Sequence, residues 1–255
     1  MTTNRSLAGV ALRVRDPERL AAFYTSTLGM NRLDPVGGEE GGTSVGYGGR
    51  GAALVLRPSG SGPAYQHQPN DRYWKIAITV PNLEMAHAQL SKHGVTATAP
   101  HQFRDIAYMS HLADPEGHVI ELIQHTFEGK PRTAPGNVAE PLGGGAQIGL
   151  VTLRTDDIES DLACCRDELG MAYLSRQEVS DRGFVLYFVA LTDEMPPHAD
   201  VDSVENREWL WQRPYTTLEF QHRLSGEPLR RIEGDVEGAV TVLIDTGGEN
   251  PVVFR

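Results

Sequence analysis

The chain repeats one pattern of hydrophobic and polar positions: an alternating apolar strand, a polar residue that can cap a helix, and a glycine that ends the helix. Residues 16–30 carry the pattern first, and residues 157–171 repeat it at the same internal spacing. A related copy covers residues 82–94 and follows another alternating strand at 74–80. This recurrence predicts a supersecondary unit that is repeated along the chain.

Further alternating or apolar runs predict the strands that complete these units. Residues 114–117 read Asp-Pro-Glu-Gly, whose proline and glycine suit a tight turn between two strands. The glycine-rich segment 35–51 predicts a flexible hairpin, and 192–213 predicts an insertion. The remaining predicted strands are 9–14, 52–56, 108–113, 118–123, 147–154, 184–191, 216–221, 239–244 and the short apolar end 252–254.

Composition narrows the class of protein. Of 255 residues, 40% are hydrophobic and 22% charged, which is typical of a soluble globular protein with two domains. A net charge of −11 disfavours nucleic acid as a partner. No apolar run approaches the roughly 20 residues of a membrane span, so we expect no membrane contact and a cytoplasmic location. Cys164 and Cys165 are neighbours on a predicted helix, which predicts buried thiols and no disulfide.

Several motifs of the first half have the residues and spacing of one known family. They are Leu12-Arg13-Val14-Arg15-Asp16, Phe23-Tyr24, Leu28-Gly29-Met30 and the segment 114–122, and residues 186–188 and 209–220 add to them in the second half. With these motifs the chain resembles the vicinal oxygen chelate superfamily, which includes glyoxalases, bleomycin-resistance proteins and extradiol dioxygenases.

The resemblance implies an α+β fold. Repeated βαβββ modules are expected to pair into curved mixed sheets around a cavity, and the fourth module is incomplete. The resemblance also implies an N-terminal domain of two modules over residues 1–127 and a Pro/Gly-rich linker over 128–146. A C-terminal domain over 147–255 then holds one full module and a truncated one.

Metal-dependent members of this family take ligands from the first and last strands of each module. The resemblance assigns these positions to Gly9, Val55, Lys75, Glu121, Leu150 and Glu219, with Ala239 in the truncated module. Only the two glutamates can bind a metal ion, and a divalent ion needs three or four converging donors. We therefore predict no cofactor. A rearranged centre of iron, zinc, nickel or manganese on Glu121, His111 and His125 stays open as an alternative.

Side-chain charge is then the candidate replacement for the metal. Strand alternation places Lys75 and Thr79 on the cavity side of one strand, with Glu121 on a strand that shares the cavity. We expect Lys75 to pair with Glu121 or with an anionic ligand, and we assign these two residues as catalytic. A structural salt bridge is the alternative.

Four further residues are predicted to bind the substrate: Thr79, Arg13, Arg154 and Glu219. Arg13 has a counterpart in the family that faces the carboxylate of the substrate, and a guanidinium can hold such an anion by two hydrogen bonds. Arg154 and Glu219 are the polar residues of a separate pocket that is predicted in the second half, where a structural role is the alternative.

Three functions fit these features. The first is an enzyme that acts without the usual metal on a small oxygenated molecule, the second is a protein that sequesters a drug-like ligand, and the third is a metal-dependent lyase or dioxygenase with rearranged ligands. The incomplete fourth module leaves sheet edges that need a cover, which predicts either a homodimer or closure by residues 252–254.

Overall fold

A computed structural model describes residues 5–36, 42–246 and 252–254 of the chain. Part of the hairpin predicted over 35–51 lies outside these residues. The described helices are all too short or too polar to cross a membrane.

Three modules share the order strand, helix and three strands, and in each of them the first strand pairs in parallel with the last. Module 1 comprises β1 (Ser6–Val14), α1 (Pro17–Ser26), β2 (Asn31–Leu33), β3 (Thr43–Gly46) and β4 (Ala53–Pro58). Module 2 comprises β5 (Tyr73–Val80), α2 (Leu83–Lys92), β6 (His101–Phe103), β7 (Ala107–Ala113) and β8 (Val119–Gln124).

Module 3 has the same order and carries one additional helix between its last two strands. It comprises β9 (Gln147–Thr155), α3 (Ile158–Ala163), β10 (Ala172–Val179), β11 (Phe184–Ala190), α4 (Glu205–Leu210) and β12 (Thr217–Arg223). The described part of module 4 holds two strands, β13 (Val240–Asp245) and β14 (Val252–Phe254). The predicted α+β fold with an incomplete fourth module is therefore confirmed.

Each module helix starts where the sequence pattern predicts. Asp16, Asn82 and Asp157 accept hydrogen bonds from backbone amides three residues ahead, at 3.0–3.1 Å. Such caps satisfy amides that have no partner within the helix. The chain then turns at glycines with positive φ, where a side chain would be strained: Gly29, Gly94 and Gly170.

Each sheet is formed by two modules, one from before and one from after the segment 128–146. In the eight-stranded sheet, order β10-β11-β12-β9-β5-β8-β7-β6, modules 2 and 3 meet through the antiparallel pair β5 and β9. In the six-stranded sheet, order β14-β13-β1-β4-β3-β2, module 1 meets the truncated module through β1 and β13. Both sheets thus take strands from 1–127 and from 147–255, and the division of the chain at 128–146 stays a prediction.

The segment between modules 2 and 3 is packed against α2. Gln89 Nε2 donates to the carbonyl of Glu140 at 3.0 Å, and Asn82 Nδ2 donates to the carbonyl of Pro135 at 2.8 Å. These contacts attach residues 128–146 to module 2 and fix the point at which β9 begins beside β5.

The core lies between the sheets and their helices. Val10, Leu12 and Val14 are buried with Leu20 and Tyr24 of α1, which is the face that the alternation predicts. Cys165 is buried, Cys164 is partly buried, and both are free thiols. At one end of the six-stranded sheet, β14 pairs with β13 and is itself the outermost strand.

Candidate active site

A cavity of about 230 Å³ lies on the eight-stranded sheet where modules 2 and 3 join. Its polar lining includes Lys75 on β5, Glu121 on β8 and Glu219 on β12. All three side chains come from residues that are no more than 3% exposed. The carboxylates of two modules therefore share one cavity, whereas the sequence predicted a separate polar pocket in each half of the chain.

Glu121 is the centre of a buried ion pair. Lys75 Nζ lies 2.6 Å from Glu121 Oε1, and the side chains are 4% and 2% exposed. His111 Nε2 on β7 lies 2.9 Å from the same oxygen. The pair between Lys75 and Glu121 that the sequence predicts is thus present, and His111 is its third member.

Strand register explains why these residues meet. His111 pairs directly with Glu121 between β7 and β8, so the two side chains share one face of the sheet. Lys75 pairs with Thr152 between β5 and β9, and Thr152 pairs with Glu219 between β9 and β12. Lys75 therefore lies in a row between the carboxylates of two modules.

Glu121 is held in its charged form. Burial by itself raises the pKa of this carboxyl, but Lys75 and then His111 outweigh burial and lower the pKa to about 2. The carboxylate keeps its charge at neutral pH and lies at ion-pair distance from Lys75.

Glu219 has the opposite perturbation. Burial raises the pKa of its carboxyl, and the charge of Glu121 adds to that effect, while Lys75 and Thr152 oppose it. The hydroxyl of Thr152 donates to Glu219 Oε2 at 2.5 Å. Two carboxyl groups whose pKa values are driven apart around one cation form an arrangement suited to proton transfer.

The rest of the cavity is mostly apolar and is lined by aromatic and aliphatic side chains in similar numbers. Trp211 follows α4, and its indole nitrogen donates to the carbonyl of Ile106 at 3.0 Å, which fixes the ring against Phe188. Trp74 lies under Lys75 Nζ, which is 4.0 Å from the ring centroid. Polar groups at one end and aromatic walls elsewhere suit a small organic molecule with one oxygen function.

Two predicted substrate-binding residues lie elsewhere. Arg13 lines a second cavity beside the six-stranded sheet and does not line this one. Thr79 is buried within β5 and packs against β9, where its Cγ2 lies 2.6 Å from the position that a Cβ at Gly149 would take. This close contact makes Thr79 part of the junction between modules.

Arg154 lies behind the cavity wall. Its guanidinium carbon is 4.7 Å from the centroid of the Trp74 ring, and that ring lines the cavity. Arg154 Nε donates to Gln221 Oε1 at 2.9 Å. Burial, reinforced by Arg223, lowers the pKa of Arg154 to about 10. The residue positions Trp74 and does not itself line the cavity.

The donors of this cavity do not fit the divalent ion that the family resemblance implies. Four of the family's ligand positions meet here: Lys75, Glu121, Leu150 and Glu219. An ammonium group and a leucine side chain do not coordinate a cation, so Lys75 and Leu150 offer no ligand. His125 lies away from Glu121, with its Nδ1 2.7 Å from Thr133 Oγ1. In the described part of the chain, no group of three His, Cys, Asp or Glu side chains is placed to hold a metal ion.

Several lining residues were missed by the sequence reasoning. Trp211 lies just after the short helix α4, inside the segment predicted as an insertion. The apolar run Trp209-Leu210-Trp211 within a polar segment was the available signal. Phe184 and Phe188 lie on a predicted strand, but the alternation alone does not say which of its faces lines a cavity.

The paired βαβββ modules and the cavity between them define the class of protein, and comparisons with known proteins give the family. Residues 6–122 match the family model described as Glyoxalase/Bleomycin resistance protein/Dioxygenase superfamily. Lactoylglutathione lyase of Salmonella typhimurium is 31% identical over 124 residues, which cover 47% of this chain and 92% of that protein. The chain belongs to this superfamily.

Two further similarities extend over more of the chain. Lactoylglutathione lyase of Schizosaccharomyces pombe is 25% identical over 210 residues, and the match covers 73% of this chain and 66% of that protein. The crystal structure of glyoxalase I from Zea mays matches with a TM-score of 0.61 at 20% identity, covering 92% of this chain and 73% of that one. The latter similarity supports the two-sheet fold.

Proposed function

We propose that the protein is an enzyme that transfers a proton to or from a small carbonyl compound, without a metal ion, in the cavity between modules 2 and 3. The observation that carries this proposal is the pair of buried carboxyls, Glu121 and Glu219, whose pKa values are shifted in opposite directions around Lys75. Each of the three side chains then has a separate role.

Glu219 takes the proton. A carboxyl whose pKa is raised by burial is a stronger base when it is charged, and it titrates closer to neutral pH than an exposed glutamate. Thr152 engages Oε2, so the other oxygen is available to remove a proton from the carbon next to the carbonyl group. The protonated carboxyl exchanges its proton with solvent and then returns a proton to the carbon.

Lys75 stabilises the charge that forms on the substrate. Removal of the proton leaves an enolate, whose negative oxygen is stabilised by a fixed ammonium group in a site with little water. Glu121 Oε1 lies 2.6 Å from Lys75 Nζ and 2.9 Å from His111 Nε2, so this carboxylate, held by His111, keeps the ammonium group in place. The aromatic walls bind the apolar body of the substrate.

The curated relatives are named lactoylglutathione lyases, so the thioester S-lactoylglutathione is the natural reference compound. The cavity of this chain is mostly apolar, which favours a smaller and less polar molecule. We therefore take phenylacetone as the test compound, because it has an aromatic ring and an acidic CH₂ group beside a carbonyl. The proposal also includes a location in the cytoplasm and assembly as a homodimer.

The test is proton exchange in D₂O, followed by NMR. We expect the wild-type protein to accelerate incorporation of deuterium at the CH₂ group, and Glu219→Gln to reduce the rate by about 100-fold or more. Glu128→Gln, at an exposed position outside the cavity, is the matched control. Elemental analysis of the same samples reports bound iron, zinc, nickel or manganese, and activity that needs one of these metals would contradict the proposal.

A binding protein is the second candidate function, and the apolar aromatic lining of the cavity favours it. Calorimetry separates the two functions. Saturable binding of phenylacetone or S-lactoylglutathione, without exchange or turnover of either compound, supports sequestration in place of catalysis.

A further inference from the structure

The lining of the cavity between modules 2 and 3 has a fixed order across the sheet. Phe188 on β11 pairs with Glu219 on β12. Glu219 pairs with Thr152 on β9, and Thr152 pairs with Lys75 on β5. Phe188, Glu219 and Lys75 all line the cavity, so their side chains leave the same face of the sheet. The row therefore presents an aromatic ring, then a carboxyl group, then an ammonium group.

The charged groups of this cavity leave no cation for an anionic ligand. The described residues that line it include one lysine and no arginine, and Lys75 Nζ lies 2.6 Å from Glu121 Oε1. The two lining histidines also have protein partners. His111 Nε2 lies 2.9 Å from Glu121 Oε1, and His101 Nδ1 lies 3.1 Å from the carbonyl oxygen of Ala99. A carboxylate on the ligand would be a third negative group around a single ammonium group, and burial makes such a group costly.

The proposed proton transfer, on which the following proposal rests, adds no charge to the cavity when the substrate is neutral. As the C–H bond breaks, its proton forms an O–H bond with Glu219, and its electron pair moves toward the carbonyl oxygen. One negative charge therefore leaves the carboxylate and appears on the substrate. The total stays at one positive and two negative charges, whereas a substrate with its own carboxylate would bring the negative charges to three throughout the reaction.

The size of the cavity limits the substrate to one ring. An apolar protein cavity of about 150 Å³ is enough to bind benzene. The cavity of this chain has a volume of about 230 Å³, so a single ring with a short side chain fills it.

The ring of the substrate fits at the Phe188 end of the row. Phe188 and Trp211 form an edge-to-face pair with centroids 5.7 Å apart, which gives a rigid aromatic wall. Trp74, near the other end, already contacts two cations. Its ring centroid is 4.0 Å from Lys75 Nζ and 4.7 Å from the guanidinium carbon of Arg154. The aromatic surface that remains for a ligand is therefore the one beside the carboxyl group.

We propose that the substrates are uncharged arylmethyl ketones, in which the ring is attached to the carbon that loses the proton. The ring then lies against Phe188, the CH₂ group faces Glu219, and the carbonyl oxygen faces Lys75, in the order that the strands impose. In a ketone whose ring is bonded to the carbonyl carbon, the same placement of the CH₂ group and the oxygen moves the ring away from Phe188.

The test compares three compounds that differ in one feature each. Phenylacetone has the proposed order, propiophenone is its isomer with the ring on the carbonyl carbon, and phenylpyruvate is a benzyl ketone with a carboxylate. We expect the protein to accelerate deuterium exchange, relative to the rate without protein, at least about tenfold more for phenylacetone than for propiophenone. In calorimetry, phenylpyruvate and propiophenone should each bind at least about tenfold more weakly than phenylacetone.

The two measurements separate failure of this proposal from failure of the proposed function. If phenylacetone binds most tightly but no compound exchanges, the substrate class stands as a ligand class and the proton transfer is wrong. If exchange occurs and either of the other compounds equals phenylacetone, the substrate class is wrong. Absence of saturable binding by phenylacetone also overturns it.

Two variants test the two ends of the row. Phe188→Leu removes the ring but stays apolar, and we expect it to weaken binding of phenylacetone by about tenfold. Tyr173→Leu, at an exposed ring outside both cavities, is the matched control. Glu219→Gln removes one negative charge at nearly constant shape, so binding of phenylpyruvate should tighten relative to phenylacetone by about tenfold. Normal phenylacetone binding in a folded Phe188→Leu would contradict the position of the ring, and an unchanged ratio in Glu219→Gln would contradict the role of charge.

Discussion

Lys75 and Glu121 form an ion pair in which each charge is costly without the other. Both side chains are at least 96% buried, so water cannot replace the missing partner. Stability and the proposed function therefore depend on the same contact. This dependence gives the first prediction.

Replacement of Lys75 by methionine leaves the Glu121 charge with His111 as its remaining close partner. We expect Lys75→Met to lower the free energy of unfolding by about 3–5 kcal/mol, as measured by urea denaturation at pH 7. In the double variant Lys75→Met/Glu121→Leu the lost stability should be largely recovered, because no buried charge is left unpaired. A loss below about 1 kcal/mol in the single variant would mean that water reaches the pair in solution.

Glu219 predicts a pH dependence of the opposite sign from that of an ordinary ion pair. Its pKa is raised in the folded protein, so the folded state holds this proton more tightly than the unfolded state does. The resulting stabilisation is present below the unfolded pKa and is lost as the pH rises through the folded pKa. Glu219→Gln, which cannot ionise, escapes this loss.

We therefore expect the stability of Glu219→Gln relative to wild type to increase between pH 4 and pH 8, as measured by urea denaturation across that range. Glu121→Gln should behave in the reverse way. Because the pKa of Glu121 is lowered to about 2, wild type loses the contribution of this residue only as the pH falls from about 4.5 toward 2. A pH-independent difference between Glu219→Gln and wild type would contradict the raised pKa.

At the scale of strands, the contact between β5 and β9 is what brings two modules to one cavity. Gly149 on β9 has no room for a side chain, because a Cβ there would lie 2.6 Å from Thr79 Cγ2 and 3.0 Å from Thr79 Oγ1. The missing side chain of Gly149 makes space for the side chain of Thr79, and this contact sets the distance between the two strands.

We expect Gly149→Ala to destabilise the protein by about 1–3 kcal/mol through overpacking. Thr79→Ala removes both of the nearest atoms, so the double variant Gly149→Ala/Thr79→Ala should be more stable than Gly149→Ala alone. Thermal denaturation followed by circular dichroism measures both effects. Equal destabilisation in the single and double variants would show that the clash does not limit the approach of the strands.

The elements themselves could be predicted from the sequence because their signals are local. The strand before Asp16, the cap at that residue and the stop at Gly29 all lie within about 20 residues, and each has a direct physical reason. Three strands were missed: β2 and β6 have only three residues each, and β10 has a mixed polarity that carries little periodicity.

The partners of the strands could not be predicted in the same way. Alternation correctly placed Lys75 and Glu121 on one face, but it cannot say that β5 pairs with β9. That pairing depends on contacts between residues about 75 positions apart. For this reason Glu219 was assigned to a separate pocket, and Arg13, which lines the other cavity, was assigned to the same substrate as Lys75.

At the scale of the whole molecule, each of the two sheets contains strands from both halves of the sequence. Modules 2 and 3, next to each other in sequence, form one sheet, while module 1 reaches past them to pair with the truncated module at the other end of the chain. Neither half of the sequence can complete a sheet alone. The cavity that holds Lys75 and Glu219 depends on this exchange of strands, because it is lined from both halves of the chain.

Separate expression of residues 1–127 and 128–255 tests this dependence. In the first fragment β5 lacks β9 and β1 lacks β13, so two apolar strands have unpaired edges, and we expect it to self-associate or remain unfolded. When the fragments are mixed, they should form a 1:1 complex that recovers proton exchange, measured by light scattering and NMR. A first fragment that is monomeric and unfolds cooperatively would instead support independent domains at 1–127 and 147–255, because its core would then not need the strands of the second half.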